Sequence, residues 1–297
     1  MTRLSNDMVA HLRDLTEAPD LGGTRYAIVR EIARGGMGVI YEADDRELQR
    51  RVALKVLALE VSSPQAQARI LEEARTIARL DHPGIVPVHD AGALPDGRAW
   101  YAMKLVQGVT LREYASRDHS MADLLRIFLR VCETAAFAHA HGFIHRDIKP
   151  DNVMIGSFGE VFVMDWGVAR PAGMTGGAEI AGTHGYMSPE QERGEDVDAS
   201  ADVYALGVML EAMTARPARP LRAIIAMARN PERSQRYKDA GALAADLVRF
   251  LDGERVGAYR EGMIGALTRL ISKHRALVGL VAAYLVMRAI ILLWGRV

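Results

Sequence analysis

The run HGFIHRDIKPDNVMI, His141 to Ile155, decides how this chain is read. Asp147, Lys149 and Asn152 fall within six positions, between an apolar helical segment and a short β-prone one. That places three polar side chains capable of chemistry on a loop held by two regular elements. Thirteen positions beyond Asn152, MDWG sets Asp165 after a second β-prone run and before a glycine. Alone, an aspartate at a strand end is as readily a cap or a turn residue. Together, an asparagine and an aspartate on neighbouring strands can clamp one or two magnesium ions through hard oxygen ligands.

Working outward toward the N-terminus, IARGGMGVIY (32–41) lies between two expected strands, with glycines at 35, 36 and 38. Such glycines let a hairpin approach a bulky group and open backbone amides to oxygen atoms, although a plain tight turn has the same composition. VALK (52–55) then puts Lys55 inside an apolar strand. A lysine there needs an anion, because an unpaired buried ammonium is costly. Glu73, in ILEEARTIARL, is the candidate partner, with an ordinary surface glutamate as the plainer reading.

Alternating segments YAIVREIA, VIYEAD and RVALKVL predict three antiparallel strands between Tyr26 and Leu57. A helix begins near Ser63 and Pro64 and stops at HPG (82–84), and IVPVHDAGAL and RAWYAMKLV predict two more strands. After Gly108 the pattern turns helical: LREYASR, MADLLRIFLRVCETAAFAHAHG, ASADVYALGVMLEAMTA, PLRAIIAMARN and AGALAADLVRFLDG, with short β-prone pieces at VMI and VFVMD. The expectation is an α+β, bilobal fold with a small β-rich N-lobe and a mainly helical C-lobe. No internal repeat or low-complexity stretch is evident.

The 297 residues are 49% hydrophobic, enough for a sizeable core, which argues against disorder for most of the chain. Lysine plus arginine (37) equals aspartate plus glutamate (37), so no overall field draws in nucleic acid, and none is expected as a partner. The single cysteine, Cys132, reads as a buried thiol and excludes disulfides within one chain. His139, His141 and His145 have a spacing that suggests metal, but two of them precede Gly142 at a helix end.

Six segments occur in one order: RGGMGVIY (34–41), VALK (52–55), HRDIKPDN (145–152), DWG (165–167), SPE (188–190) and DVYALG (202–207). By these the chain resembles the Hanks-type protein kinase superfamily from about Tyr26 to Gly253, and most resembles the bacterial membrane-associated serine/threonine kinases. The resemblance implies a protein kinase domain at 25–253 (N-lobe 25–105, C-lobe 106–253) after a leader at 1–24. It implies ATP and magnesium as cofactors, with manganese as a substitute, and proteins as substrates. KP after the aspartate is similar to serine/threonine rather than tyrosine kinases.

On the same resemblance, Lys55 contacts the α- and β-phosphates and is oriented by Glu73. Asp147 accepts the substrate hydroxyl proton, Lys149 stands near the transferring group, and Asn152 and Asp165 hold the metal. Ile32, Gly35, Gly36 and Gly38 belong to the lid over the nucleotide. Ile40, Ala53 and Met154 enclose the adenine, Met103 backs the pocket, and Lys104 to Val106 form the hinge. Arg146 is expected to meet a phosphate on the activation loop, with Thr175 as candidate acceptor; Thr183 is held apart as an active-site packing residue. Glu190 and Arg236 match an ion pair bracing the large lobe, and Asp202 has a structural role.

The chain departs from the family pattern at three places. Ala33 replaces the first loop glycine, Trp166 stands where phenylalanine is usual, and only ARPAR (215–219) separates Thr214 from the next helix, where the family carries a longer segment. The shortening puts protein docking and large-lobe stability in question. Together with Ala33 it motivates the alternative function, a pseudokinase scaffold that binds nucleotide and partners without useful transfer.

The other end has a separate character. Leu277 to Trp294 is 18 residues with one charge, Arg288. A helix of that length spans roughly 27 Å, close to a hydrocarbon core. Arg288 would cost about 2.5 to 3.5 kcal/mol at midspan, which the leucines, isoleucines and valines outweigh. The expectation is a transmembrane helix at 276–294 after a juxtamembrane linker at 254–275. The N-terminus has no apolar stretch like a signal peptide, so the expected location is single-pass in the inner or plasma membrane with the kinase domain cytoplasmic. A helix lying on the membrane or packed on a partner, and burial against the core, are the other readings. Tyr284 and Arg288 share a face at four-residue spacing, which raises homodimer pairing as a hypothesis.

Overall fold

Strict alternation in the N-terminal third makes a sheet with two buried faces. The computed structural model describes residues 19–35, 38–59, 62–171, 182–259, 261–262 and 275–294. Strands β1 (Tyr26–Arg34), β2 (Gly38–Asp45), β3 (Arg50–Leu57), β4 (Val88–Ala93) and β5 (Ala99–Lys104) form one antiparallel sheet in the order β1-β2-β3-β5-β4. Side chains of period two divide between its faces. Val52, Leu54 and Val56 join Tyr26, Tyr41 and Trp100 on the outer side. Ala53, Leu57, Tyr101 and Met103 join the main core on the inner side.

Helix α1 (Pro64–Arg79) lies against that inner side through Ile70, Ala74 and Ile77. Ser63 starts it: its hydroxyl accepts the Ala66 amide at 3.2 Å, and Pro64 occupies the first turn, where its missing N–H costs nothing. Chain direction then brings the acidic stretch of α1 under β3 and β5.

The second lobe begins with β6 (Gly108–Thr110) and α2 (Leu111–Ala115), closed by a capping box of Thr110 and Glu113. Helix α3 (Met121–Ala140) buries Leu124, Leu125, Phe128, Val131, Cys132, Ala135 and Ala138 at helical spacing. Cys132 is fully enclosed, and burial pushes its thiol well above the ordinary value. After α3 come β7 (Phe143–Ile144), β8 (Val153–Gly156), β9 (Val161–Val163), β10 (Arg170–Pro171) and α4 (Pro189–Glu192). β6, β8 and β9 make a three-stranded sheet and β10 pairs with β7. At two or three residues, β6, β7 and β10 carry no readable period of their own, whereas the β-prone pieces VMI and VFVMD had marked β8 and β9.

Helix α5 (Ala199–Met213) is buried on nearly every side, α6 (Arg219–Ala228) lies against it, and α7 (Ala240–Leu251) packs on α3 and α6. A Cβ at Gly207 would stand 2.8 Å from the Ala228 Cβ, so glycine is what lets α6 close onto α5. Leu221, Ile224, Ile225 and Ala228 of α6 are all buried there. With only ARPAR between Thr214 and Pro220, α6 fills the space beside α5 directly. Beyond Gly253 the chain stays on this lobe, because Asp246 accepts the amides of Gly257 and Ala258 at 2.7 and 2.9 Å and Val256 is buried.

Among the described residues no helix is long and apolar enough to cross a membrane. Helix α8 (Arg275–Trp294) runs 20 residues, but side chains at 275–278, 282, 289–290 and 292–293 lie outside the described set. The membrane-spanning part of the expectation therefore stays with the amino-acid sequence. The described side chains of α8, including Leu280, Leu285, Val286, Ile291 and Trp294, are all exposed, so burial against the core is corrected.

Candidate active site

Lys55 and Tyr101 are directly opposed partners of β3 and β5, on the face that looks at α1. From α1, Glu73 reaches up between them. The Lys55 ammonium lies 2.8 Å from both carboxylate oxygens of Glu73, and the Tyr101 hydroxyl donates to Oε1 at 2.9 Å. Glu73 is 4% exposed, so a charge that burial would otherwise penalise is held by two donors. Burial pulls the Lys55 ammonium down, but Glu73 and then Asp165, 3.5 Å away, outweigh it and hold its pKa above the ordinary value.

The loop between β7 and β8 carries the second cluster. Lys149 donates to Asp147 Oδ2 at 2.8 Å and to the Thr183 hydroxyl at 2.5 Å. The Asn152 amide donates to the Asp147 carbonyl at 2.9 Å and to Oδ2 at 3.0 Å. Among the described residues Asp147 Oδ1 has no hydrogen-bond partner, although the residue is buried. The preceding Arg146 sits at φ 70°, a left-handed conformation that costs a non-glycine residue energy. Asp202 of α5 holds that shape, taking the amides of His145 and Arg146 at 2.8 Å each, and Gln191 clasps the Arg146 carbonyl at 2.8 Å.

Asp165 follows β9, itself at φ 59°. Its side chain is half-exposed. Burial of part of the group pushes its carboxyl up, yet Lys55, His145 and Lys149 outweigh that and hold it below the usual range. Trp166 behind it is buried, donating to the Val163 carbonyl at 3.1 Å, with the His145 ring 4.6 Å away. The larger aromatic thus fits by using its indole N–H. Because the Asn152 amide nitrogen donates to Asp147, its Oδ1 is the atom left for a cation. Asn152 and Asp165 then offer only hard oxygen donors, a set that fits magnesium or manganese. Among the described residues no three His, Cys, Asp or Glu side chains gather as a metal site.

A lysine and glutamate clasped behind a glycine turn, facing a carboxylate loop and a second aspartate, has a counterpart among known proteins. The protein kinase domain profile matches residues 26–236.

The chain belongs to the Hanks-type protein kinase family.

It is 37% identical to the serine/threonine-protein kinase PknB of Mycolicibacterium smegmatis, over 77% of this chain and 43% of that protein. It is 34% identical to a probable serine/threonine-protein kinase of Streptomyces coelicolor, over 82% and 42%. To the serine/threonine-protein kinase PknD of Chlamydia caviae it is 36% identical, over 64% and 24%. The chain spans less than half the length of these relatives.

Around the kinase centre, Ala53 of β3 is the register partner of Met103 on β5, and both are buried. Ile40 pairs with Lys55, and Ile40 and Val106 pack against the same core. Lys104 turns its ammonium over the Phe162 ring at 4.7 Å, and Met154 is half-buried on β8. Ile32 is exposed on β1. At the glycine turn, the Gly35 amide donates to the Gly38 carbonyl at 2.9 Å, and a Cβ at Gly38 would meet the Val56 carbonyl oxygen at 2.6 Å. Gly36 and Thr175 lie outside the described residues.

Arg236 donates to both Glu190 oxygens at 2.6 and 2.9 Å, with both side chains buried. Burial pushes the Glu190 carboxyl up, but the guanidinium outweighs it and holds it low. The three histidines go to separate partners: His139 to Asp202, His141 to the Phe137 carbonyl and His145 to the Met164 carbonyl. Sequence reasoning passed over Tyr101, Gln191 and Asp246. For Tyr101 the sequence held only the alternation of β5, which gives its face of the sheet but not the register that sets it opposite Lys55.

Proposed function

We propose that this kinase transfers the γ-phosphoryl group of ATP to serine or threonine hydroxyls of proteins, autophosphorylation included. The observation that carries the reading is the two facing clusters, Lys55–Glu73–Asp165 and Asp147–Lys149–Asn152, with Asp147 Oδ1 unpartnered among the described residues.

Asp147 Oδ1 is the acceptor left for the substrate hydroxyl proton, while Oδ2 is held by Lys149 and Asn152 so that the carboxylate cannot rotate away. Lys149, bound to both Asp147 and Thr183, brings positive charge beside the transferring group. Lys55 acts through charge and geometry, not proton transfer, and Glu73 sets its direction. A divalent ion would be held by Asn152 and Asp165 and would neutralise charge on the phosphates. Ala53, Met103, Ile40 and Met154 enclose the adenine, with Lys104 to Val106 as the hinge. Nothing in the geometry favours the scaffold alternative, since Lys55, Glu73, Asp147, Asn152 and Asp165 are all present and paired.

The proposal extends to location. Apart from Arg288, residues 277–294 are largely apolar, and the described side chains of α8 are exposed, a pattern suited to lipid. The reading is a single-pass anchor with the kinase domain cytoplasmic, and helix pairing through the Tyr284–Arg288 face as the route to a homodimer.

The function is tested by incorporation of labelled γ-phosphate into the full chain and a basic protein substrate, against Asp147→Asn. Transfer lost by about a hundredfold or more in the variant, with ATP still bound, supports the reading. Equal incorporation in both, or none in either despite ATP binding with magnesium and with manganese, sinks it.

A further inference from the structure

Glu73 is held by two donors from two strands, and only one of them, Lys55, has work elsewhere. The other is the phenol of Tyr101, 2% exposed and fixed in β5 as the direct cross-strand partner of Lys55. Its hydroxyl lies 2.9 Å from Glu73 Oε1, and its ring lies 5.8 Å from the Lys55 ammonium. Burial and then the Glu73 charge push the phenol well above its ordinary pKa, so it stays protonated and able to donate. The Lys55 ammonium, by contrast, is already shared with Asp165 at 3.5 Å.

We infer that Tyr101 is a positioning residue: its hydroxyl tethers Glu73, and with it helix α1, in the catalytic arrangement independently of Lys55. The inference rests on the kinase reading for its consequence in catalysis but not for the tether itself. An anionic nucleotide draws on the Lys55 charge, which weakens what Lys55 gives to Glu73. A helix held by the lysine alone would loosen at that moment. A neutral phenol has no competing anion to serve, and its strand is anchored on both sides by β3 and β4. A hydrogen bond from a buried neutral donor to a carboxylate is of the stronger kind.

The test is amide hydrogen exchange of residues 64–79, measured on the full chain without nucleotide, for the parent, Lys55→Met, Tyr101→Phe and the double variant. Tyr101→Phe keeps the ring that fills the core and removes only the oxygen. The tether gives α1 protection within about threefold of the parent in Lys55→Met, and exchange about tenfold faster or more when Tyr101→Phe is added. Strands β3 and β5 keep their protection in all four proteins. Equal α1 protection in Lys55→Met with and without the phenol oxygen overturns the inference. So does faster exchange spread through β3 and β5, which would mark Tyr101 as a packing residue.

Turnover supplies a second reading. Tyr101→Phe is expected to lower kcat/KM for ATP about fivefold or more, by reducing the fraction of molecules with Glu73 in place. A value within twofold of the parent overturns the catalytic consequence. Exchange needs neither nucleotide nor transfer, so a kinase reading that failed would leave the tether result standing or falling by itself.

Discussion

The carboxylate of Asp202 receives the backbone amide of Arg146 at 2.8 Å, and Arg146 stands at φ 70° one residue before Asp147. A helix in the centre of the large lobe thereby holds the strained turn that aims the proposed catalytic carboxylate. The same carboxylate also takes the His145 amide and His139, so one buried side chain collects three donors.

Asp202→Ala leaves those donors without a partner in a dry site. The expected cost is about 3 kcal/mol of stability, read from the denaturant midpoint. Phosphoryl transfer is expected to fall by about a hundredfold in the fraction that stays folded, because Asp147 loses its fixed aim. Unchanged transfer would show that the Arg146 turn keeps its shape without Asp202.

Glu190 and Arg236 are buried together, and Arg236 also donates to the carbonyls of Asn230, Ser200 and Pro231. Arg236→Met strands the Glu190 charge and is expected to cost about 3 to 5 kcal/mol. Pairing it with Glu190→Leu removes the stranded charge, and a denaturation series should show part of the loss recovered. A double variant no more stable than Arg236→Met contradicts this account.

Acid should weaken the large lobe in a defined direction. Glu190, Asp202 and Asp246 are all held below their ordinary values of 4.5, 3.8 and 3.8. In each, burial pushes the carboxyl up and is outweighed: by Arg236 at Glu190, by His139 at Asp202, and by the Gly257 and Ala258 amides at Asp246. A depressed folded pKa contributes stability that is full above the ordinary value and is lost as pH falls through the folded one. Denaturant midpoints should therefore hold steady down to the ordinary carboxylate range and drop below it. Asp246→Asn should shallow that drop, and an unaltered slope would remove Asp246 from the explanation.

The anchor reading has a direct measurement. The full chain is expected in the membrane fraction after alkaline extraction, and a chain ending at residue 275 in the soluble fraction. Release of the full chain by alkali would point to a helix lying on the surface instead of crossing.

Much of this could be read along the chain, and the physical reason is locality. Five strands and five of the larger helices followed from alternation, helical spacing, Ser63 with Pro64, and the HPG stop, each a property of a few neighbouring residues. The six motifs named the family by their order alone, and the pairing of Lys55 with Glu73 was suggested by the cost of burying an ammonium. What only the tertiary structure decided are relations between distant positions. Tyr101 became a partner of Glu73 because strand register set it opposite Lys55. Asp202 came to brace Arg146 because α5 passes beneath a loop 56 residues earlier. The shortened lobe closed because Gly207 lets α6 lie against α5. None of these has a period or a spacing to betray it: a residue's role as brace or tether depends on which surface folding brings against it, and the chain states that only once it is packed.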